Sequence, residues 1–136
     1  MFSVRKCCQL PMKAKLTIPG RLPGLNEYIA AERTNRHAAA KMKREAQQAV
    51  EWCVRSQLRG VRFERPVRMA YRWFERDRKR DKDNVSAFGR KVIQDALVHT
   101  GVLKNDNWAC VDGFSDQFEV DRKRPRIEVE INDEQP

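Results

Sequence analysis

The feature that most constrains the fold is a run of ten residues, 75–84, that contains no apolar side chain. Immediately before it, apolar residues alternate with polar or small ones from Val67 to Trp73, which is typical of a strand with one face in the core. Because a segment without apolar side chains has nothing to bury, the run must form an exposed loop. The strand therefore leads into a highly charged loop at one edge of the core.

A helix is predicted after this loop, at about residues 84–100. Val85, Phe88 and Val92 recur at helical spacing, and Gly101 stands where a C-terminal cap belongs. Upstream, residues 26–58 contain no Pro or Gly and predict one long helix or two consecutive helices, ending near Gly60.

Short strands are predicted at both ends of the chain. One lies at 14–18, before the turn-rich stretch 19–24, and two closing strands lie at 108–121 and 126–131, after a turn at 104–107. A chain of 136 residues can bury one core. We therefore expect a single-domain α/β (α+β) fold, a mixed sheet of about four to five strands flanked by helices.

The chain divides into one domain and two tails. Residues 1–13 carry no strand or helix pattern and are expected to be a flexible basic tail, while residues 133–136 are expected to be a frayed acidic tail. Residues 14–132 then form the domain.

The net charge indicates the class of partner. Lys and Arg number 28 against 19 Asp and Glu, a formal charge of +9, and 40% of the residues are hydrophobic, as in a globular protein. Such an excess of basic residues attracts polyanions, so nucleic acid is the leading partner class. The alternative is a basic surface that serves solubility alone.

Several other classes of site and partner are not expected. Four cysteines, Cys7, Cys8, Cys53 and Cys110, lack zinc-ligand spacing and are interpreted as reduced thiols. His37 and His99 are isolated in sequence, no small-molecule cofactor motif is found, and no segment is apolar enough to span a bilayer. A cytoplasmic protein without a membrane partner is expected.

Carboxylates in the charged loop suggest a metal site. Asp81 and Asp83 stand two residues apart where loop meets helix, and Mg²⁺ prefers such oxygen ligands. The alternative is a solvated turn in which Asp83 or Asn84 caps the helix. Asp106 follows the helix in a turn that can return toward the helix start, or it forms a common Asx turn.

Basic residues surround these carboxylates. Lys91 and Asp95 stand four apart on the predicted helix, so the lysine either meets a scissile phosphate or forms a surface ion pair with Asp95. A second basic cluster, 122–124, lies between the closing strands and is also compatible with a hairpin turn. The residues expected to bind the DNA backbone near the carboxylates are Arg76, Arg78, Lys79, Arg80 and Lys82.

Aromatic side chains offer a second kind of nucleic-acid contact. Trp73, Trp108, Phe114 and Phe118 are all able to stack on exposed bases. Their positions in strand patterns favour packing in the core instead.

Three motifs together resemble the RusA family of Holliday-junction resolvases, the crossover junction endodeoxyribonucleases. They are RDKDN at 80–84, KVIQDAL at 91–97 and GVLKND at 101–106. The resemblance implies Mg²⁺, with Mn²⁺ as a substitute, bound by Asp81, Asp83 and Asp106, with Asp95 as a second-rank ligand. It also implies catalytic roles for Asp81, Asp83, Asp106 and Lys91, and a homodimer that cuts four-way DNA junctions by paired symmetric cleavage.

The chain departs from the family pattern at one point. About one additional helical turn separates Asp83 from Lys91, which can move Lys91 relative to a metal. Arg90 is a possible substitute and is included among the DNA-binding residues. Two other functions remain open, a non-catalytic architectural protein that uses the same basic surface to bind DNA, and an RNA-binding or RNA-cleaving domain.

Overall fold

The computed structural model describes residues 11–134, which form four strands and three helices. Their bounds, in chain order, are β1 Lys13–Pro19, α1 Leu25–Thr34, α2 Arg36–Gln57, β2 Val67–Glu75, α3 Lys82–His99, β3 Val111–Val120 and β4 Arg126–Asn132. The strands make one sheet in the order β1-β4-β2-β3. The predicted mixed α+β fold of one domain is confirmed.

The sheet is mixed because α3 returns the chain to the same end of the sheet. β2 and β3 are parallel and are connected through α3, whereas β4 runs antiparallel to both β1 and β2. The two closing strands therefore do not pair with each other, and residues 122–124 are not a hairpin turn. They carry the chain past the end of β2, where the backbone N–H of Asp121 donates to the carbonyl of Glu75 at 2.7 Å.

Helix boundaries follow local capping. The long helical segment is two consecutive helices, because Asn35 interrupts it in an extended conformation and its side chain accepts from the backbone N–H of Ala38 at 2.7 Å. The third helix begins at Lys82, two residues before the predicted start, with Asp81 as its N-cap. The DKDN stretch is thus the N-cap and first turn of α3 and not an open loop.

The core lies between the helices and one face of the sheet. Alternate residues of β1, β2 and β4 are buried there, including Leu16, Tyr71 and Val129, and α3 contributes Val92 and Ile93. The opposite face of the sheet carries mainly polar side chains, and Phe74 on that face lies under the guanidinium groups of Arg126 and Arg72 at 3.8 and 5.0 Å.

Two of the four aromatic predictions are wrong. Trp73 is buried and Phe118 packs against the core, but Trp108 is 99% exposed and Phe114 is 53% exposed. Trp108 is exposed because β3 begins only at Val111, and Phe114 lies on β3 itself, which is an edge strand of the sheet. Trp108 lies in a turn in which the side chain of Asn107 accepts from the backbone N–H groups of Ala109 and Cys110.

At the ends of the domain, the predicted boundaries differ slightly from the structure. Lys13 already belongs to β1, and Asp133 is buried, with its carboxylate accepting from the backbone N–H of Met12 at 2.7 Å. The tail predictions for residues 1–10 and 135–136 lie outside the described residues. Between residues 11 and 134, no helix is long and apolar enough to cross a membrane.

Candidate metal and nucleic-acid site

The carboxylates of Asp81 and Asp83 stand at the N-terminal end of α3. Asp81 is the N-cap residue, yet its side chain makes no capping hydrogen bond, and Asp83 follows in the first turn. Both residues are exposed, and within the described chain neither carboxylate has an ion-pair partner. Because neither carboxylate is engaged by another side chain of the described chain, two oxygen ligands are available to a cation.

Both carboxylates open into a cleft of about 680 Å³ between the loop, the start of α3 and the end of β3. The ammonium group of Lys82 lies 5.7 Å from the centre of the Phe118 ring on the far wall. The cleft therefore combines charged and apolar surfaces. Its lining consists of acidic Glu75, Asp77, Asp81, Asp83 and Glu119, basic Arg78, Arg80 and Lys82, and apolar Val85, Phe118 and Val120.

The basic loop residues fall into two groups. Arg76, Arg78 and Lys79 are exposed, and Arg78 and Lys79 form no side-chain ion pair with the rest of the described chain. Arg80 is different, because its side chain is only 14% exposed and its guanidinium donates to both carboxylate oxygens of Glu75 at 2.8 and 2.9 Å. The exposed side chains are available to phosphates, whereas the guanidinium of Arg80 is already paired with Glu75.

Lys91 and Asp106 meet at a separate place. The ammonium group of Lys91 lies 3.1 Å from carboxylate oxygens of both Asp106 and Asp95, and Asp95 also pairs with Lys43 at 3.1 Å. Lys91 donates both hydrogen bonds, and they raise its pKa above the ordinary value, the bond to Asp106 having the largest effect. Lys91 stands eight positions after Asp83 on the helix, a distance of about 12 Å along the helix axis.

The structure thus brings Asp81 and Asp83 together but does not add Asp106 to them. Across residues 11–134, no three His, Cys, Asp or Glu side chains are grouped closely enough to hold a metal ion. Mg²⁺ nevertheless binds at many sites through one or two carboxylates, water and substrate phosphate. The pair Asp81 and Asp83 fits that donor set, and the assignment of Asp81, Asp83, Asp106 and Asp95 to the metal stays a prediction.

Arg90 does not take the place of Lys91 in this arrangement. Its guanidinium pairs with Asp116 of β3 at 2.7 Å and lies 4.5 Å from the centre of the Phe114 ring. Arg90 therefore joins α3 to the edge strand. His99, isolated in sequence, contacts the buried carboxylate of Glu51 at 2.9 Å, well away from the cleft lining.

Sequence reasoning missed the residues that frame the cleft. Glu75 stands at the end of β2, and Glu119 and Val120 stand at the end of β3. Both strands are parallel, so their C-terminal ends lie at one edge of the sheet. A parallel pairing of these strands was the missing signal, since it alone places residues 119 and 120 beside residue 75.

Comparison with known proteins supports the same conclusion as the motifs. A protein-family profile described as Endodeoxyribonuclease RusA matches residues 19–132, which is most of the chain. No curated protein matches the chain. The matched region contains Asp81 and Asp83, the basic loop and the Lys91 cluster. The chain belongs to the RusA endodeoxyribonuclease family.

Proposed function

We propose that the chain is a Mg²⁺-dependent endonuclease that resolves Holliday junctions, or related branched DNA, by paired symmetric cleavage in recombination and repair. One observation carries the proposal: in a RusA-family chain, two exposed carboxylates share a cleft whose rim bears exposed basic side chains. Asp81 and Asp83 supply the carboxylates, and Arg78 supplies a basic group on the same cleft.

Asp81 and Asp83 would hold the ion. Their side chains are engaged by no other side chain among residues 11–134, so binding a cation breaks no existing ion pair. A bound Mg²⁺, or Mn²⁺ as a substitute, supplies an activated water and offsets charge on the scissile phosphate.

The DNA backbone would be bound by two adjacent basic segments. Residues 76, 78 and 79 come directly after β2, and the hydrogen bond from Asp121 to Glu75 brings residues 122–124 to the same end of β2. All six side chains are exposed. Phosphates bound there would lie beside the cleft, and this backbone binding would be independent of base sequence.

Lys91 would supply a fixed positive charge. Its ammonium group is held between Asp95 and Asp106, and its raised pKa keeps it protonated across the neutral range. Unlike Arg80, the side chain is 59% exposed, so a phosphate bound at this part of α3 would contact the ammonium group, whose charge would then stabilise negative charge that develops in the transition state. Asp106 then acts by positioning Lys91, whether or not it also reaches a metal.

We also propose that the active form is a homodimer without a small-molecule cofactor. Cutting two strands at symmetric positions requires two active sites, and a two-fold axis places them in equivalent positions on a four-way junction. Light scattering on the purified protein, with and without junction DNA, measures the mass directly. A monomer at all concentrations, in a preparation that still makes paired cuts, would contradict this part of the proposal.

The test is cleavage of a labelled synthetic four-way junction in Mg²⁺, with junction binding measured in parallel by gel shift. Asp83→Asn removes one carboxylate charge from the cleft, and Asp112→Asn is a matched control, since Asp112 is exposed on β3 outside the cleft. We expect paired symmetric nicks from the wild type and from Asp112→Asn. We expect no cuts from Asp83→Asn, which should still bind.

Two outcomes would contradict the proposal in different ways. A wild type that binds the junction but never cuts with any divalent ion is an architectural DNA-binding protein. Cleavage of RNA hairpins in preference to DNA junctions of equal charge would instead change the substrate class.

A further inference from the structure

We propose that Arg80 and Asn84 position the two carboxylates and do not contact DNA. The two residues clamp the start of α3 onto segment 22–27, the entrance to α1. This inference rests on the proposed metal site, because it assigns to the clamp the task of fixing that site's ligands.

Arg80 forms three side-chain hydrogen bonds and two ion pairs inside the protein. Besides the two bonds to Glu75, its Nη1 donates to the backbone carbonyl of Leu22 at 3.2 Å and lies 3.7 Å from a carboxylate oxygen of Glu27. Two carboxylates therefore surround one guanidinium. A phosphate would have to displace them to reach Arg80, whereas Arg78 in the same loop offers an exposed side chain.

Asn84 forms the second half of the clamp. Its Oδ1 accepts from the backbone N–H of Asn26 at 2.8 Å. Asn26 lies in the first turn of α1, where backbone N–H groups lack partners within the helix, so Asn84 satisfies one of them. The start of α3 and the start of α1 are thus tied together by a direct hydrogen bond.

Gly24 marks the point where the two halves meet. A Cβ atom added at this position would lie 2.6 Å from Oδ1 of Asn84 and 3.0 Å from Nη1 of Arg80. The φ angle of Gly24 is −82°, an ordinary value for any residue, so the requirement is for space and not for an unusual backbone. The clamp contacts of Arg80 and Asn84 fit together only because residue 24 has no side chain.

The placement of the clamp in the chain explains its effect on the site. Arg80 directly precedes Asp81, and Asn84 directly follows Asp83, so the carboxylates lie between two anchored residues. Metal ligands bind well when surrounding contacts hold them in position before the ion arrives. Loosening either anchor should therefore lower metal affinity without removing a phosphate contact.

The test compares Arg80→Gln with Arg78→Gln, which removes a neighbouring exposed charge. Mn²⁺ binding is measured by calorimetry on the free protein, and junction binding is measured by gel shift over a range of salt concentrations. Arg80→Gln should raise the Mn²⁺ dissociation constant by about tenfold and leave the salt slope unchanged. Arg78→Gln should leave Mn²⁺ binding unchanged and reduce the slope by about 0.9.

Two further variants separate positioning from charge and from misfolding. Arg80→Lys keeps the charge but lacks the forked geometry, so it should not restore Mn²⁺ affinity. Gly24→Ala alters no charge and should weaken Mn²⁺ binding by opening the clamp, with circular dichroism confirming that it is folded.

Contrary results would fall into two distinguishable kinds. A reduced salt slope in Arg80→Gln, with wild-type Mn²⁺ affinity, would show that Arg80 contacts phosphate and overturn the clamp. A wild type that binds no Mn²⁺ would remove the metal site itself, and with it both proposals.

Discussion

Asp116 is expected to be the most important polar residue of the edge strand for stability. Its carboxylate accepts from the indole N–H of Trp73 at 2.9 Å and from Nη1 of Arg90 at 2.7 Å. Trp73 is fully buried, and the side chains of Asp116 and Arg90 are only 19% and 22% exposed. Asp116→Ala therefore leaves a buried donor and a mostly buried guanidinium without their acceptor.

The size of the effect follows from these two losses. An unsatisfied buried donor costs about 1–3 kcal/mol, and a hydrogen bond to a charged group contributes about 1.5–3 kcal/mol. Arg90 retains its contact with the Phe114 ring and some access to water, so its share is reduced. We expect Asp116→Ala to lower the free energy of unfolding by about 2–4 kcal/mol, and Asp116→Asn by about half as much because the amide still accepts from Trp73.

Urea unfolding at neutral pH measures these differences, and Asp112→Ala is the matched control. Asp112 lies on the same strand and pairs with Arg68 at 3.2 Å, but the two side chains are 51% and 63% exposed. Its loss should change stability by no more than about 0.5 kcal/mol. Equal unfolding midpoints for Asp116→Ala and Asp112→Ala would refute the idea that burial of the Asp116 contacts decides their contribution.

Three further predictions concern the charged clusters. Lys91→Met removes the ammonium group held by Asp106 and Asp95, so single-turnover cleavage should fall by about 10²-fold while gel-shift affinity changes little. Burial would raise the pKa of Glu51, but hydrogen bonds from Gln47 and His99 hold it below its ordinary value. The Glu51 carboxylate therefore stabilises the fold above the ordinary pKa of a glutamate, and the wild type should lose this contribution as the pH falls through the lowered pKa. Glu51→Gln should lose less stability over the same change, as urea midpoints would show. EDTA should abolish cleavage but not junction binding, and added Mn²⁺ should restore the cuts; cleavage that persists in EDTA would contradict the metal requirement.

Much of the fold was predictable because local pattern and burial agree. The alternation in β2 and the apolar stripe of α3 are strong signals, and both elements form close to their predicted positions. The pairing of strands was not predictable in the same way. Which strand lies beside β2 depends on where α3 returns the chain, and no local pattern in β3 or β4 records that choice.

In the candidate site, too, features set by neighbouring residues were predictable, whereas features set by contacts between distant residues were not. Asp81 and Asp83 share a cleft because they are two residues apart at one helix end, which the sequence alone displays. Arg80 pairs with Glu75 because the loop folds back onto the end of β2. The RDKDN motif alone does not show this ion pair, so it gave no reason to treat Arg80 differently from the exposed basic residues beside it. Trp108 was misplaced because alternation extended the predicted strand through a turn that Asn107 defines.

The three tryptophans provide built-in optical reporters, because one is buried and two are exposed to solvent. Trp73 is buried beside Asp116, so its emission should shift to longer wavelength only when the core opens. Trp108 projects fully into solvent two residues after Asp106, and Trp52 is exposed on α2. With Trp52 replaced by Phe, Trp108 is the remaining exposed indole, and quenching of its fluorescence would report a ligand that binds near the Asp106 turn. An unchanged short-wavelength emission from Trp73 would show that the protein stayed folded.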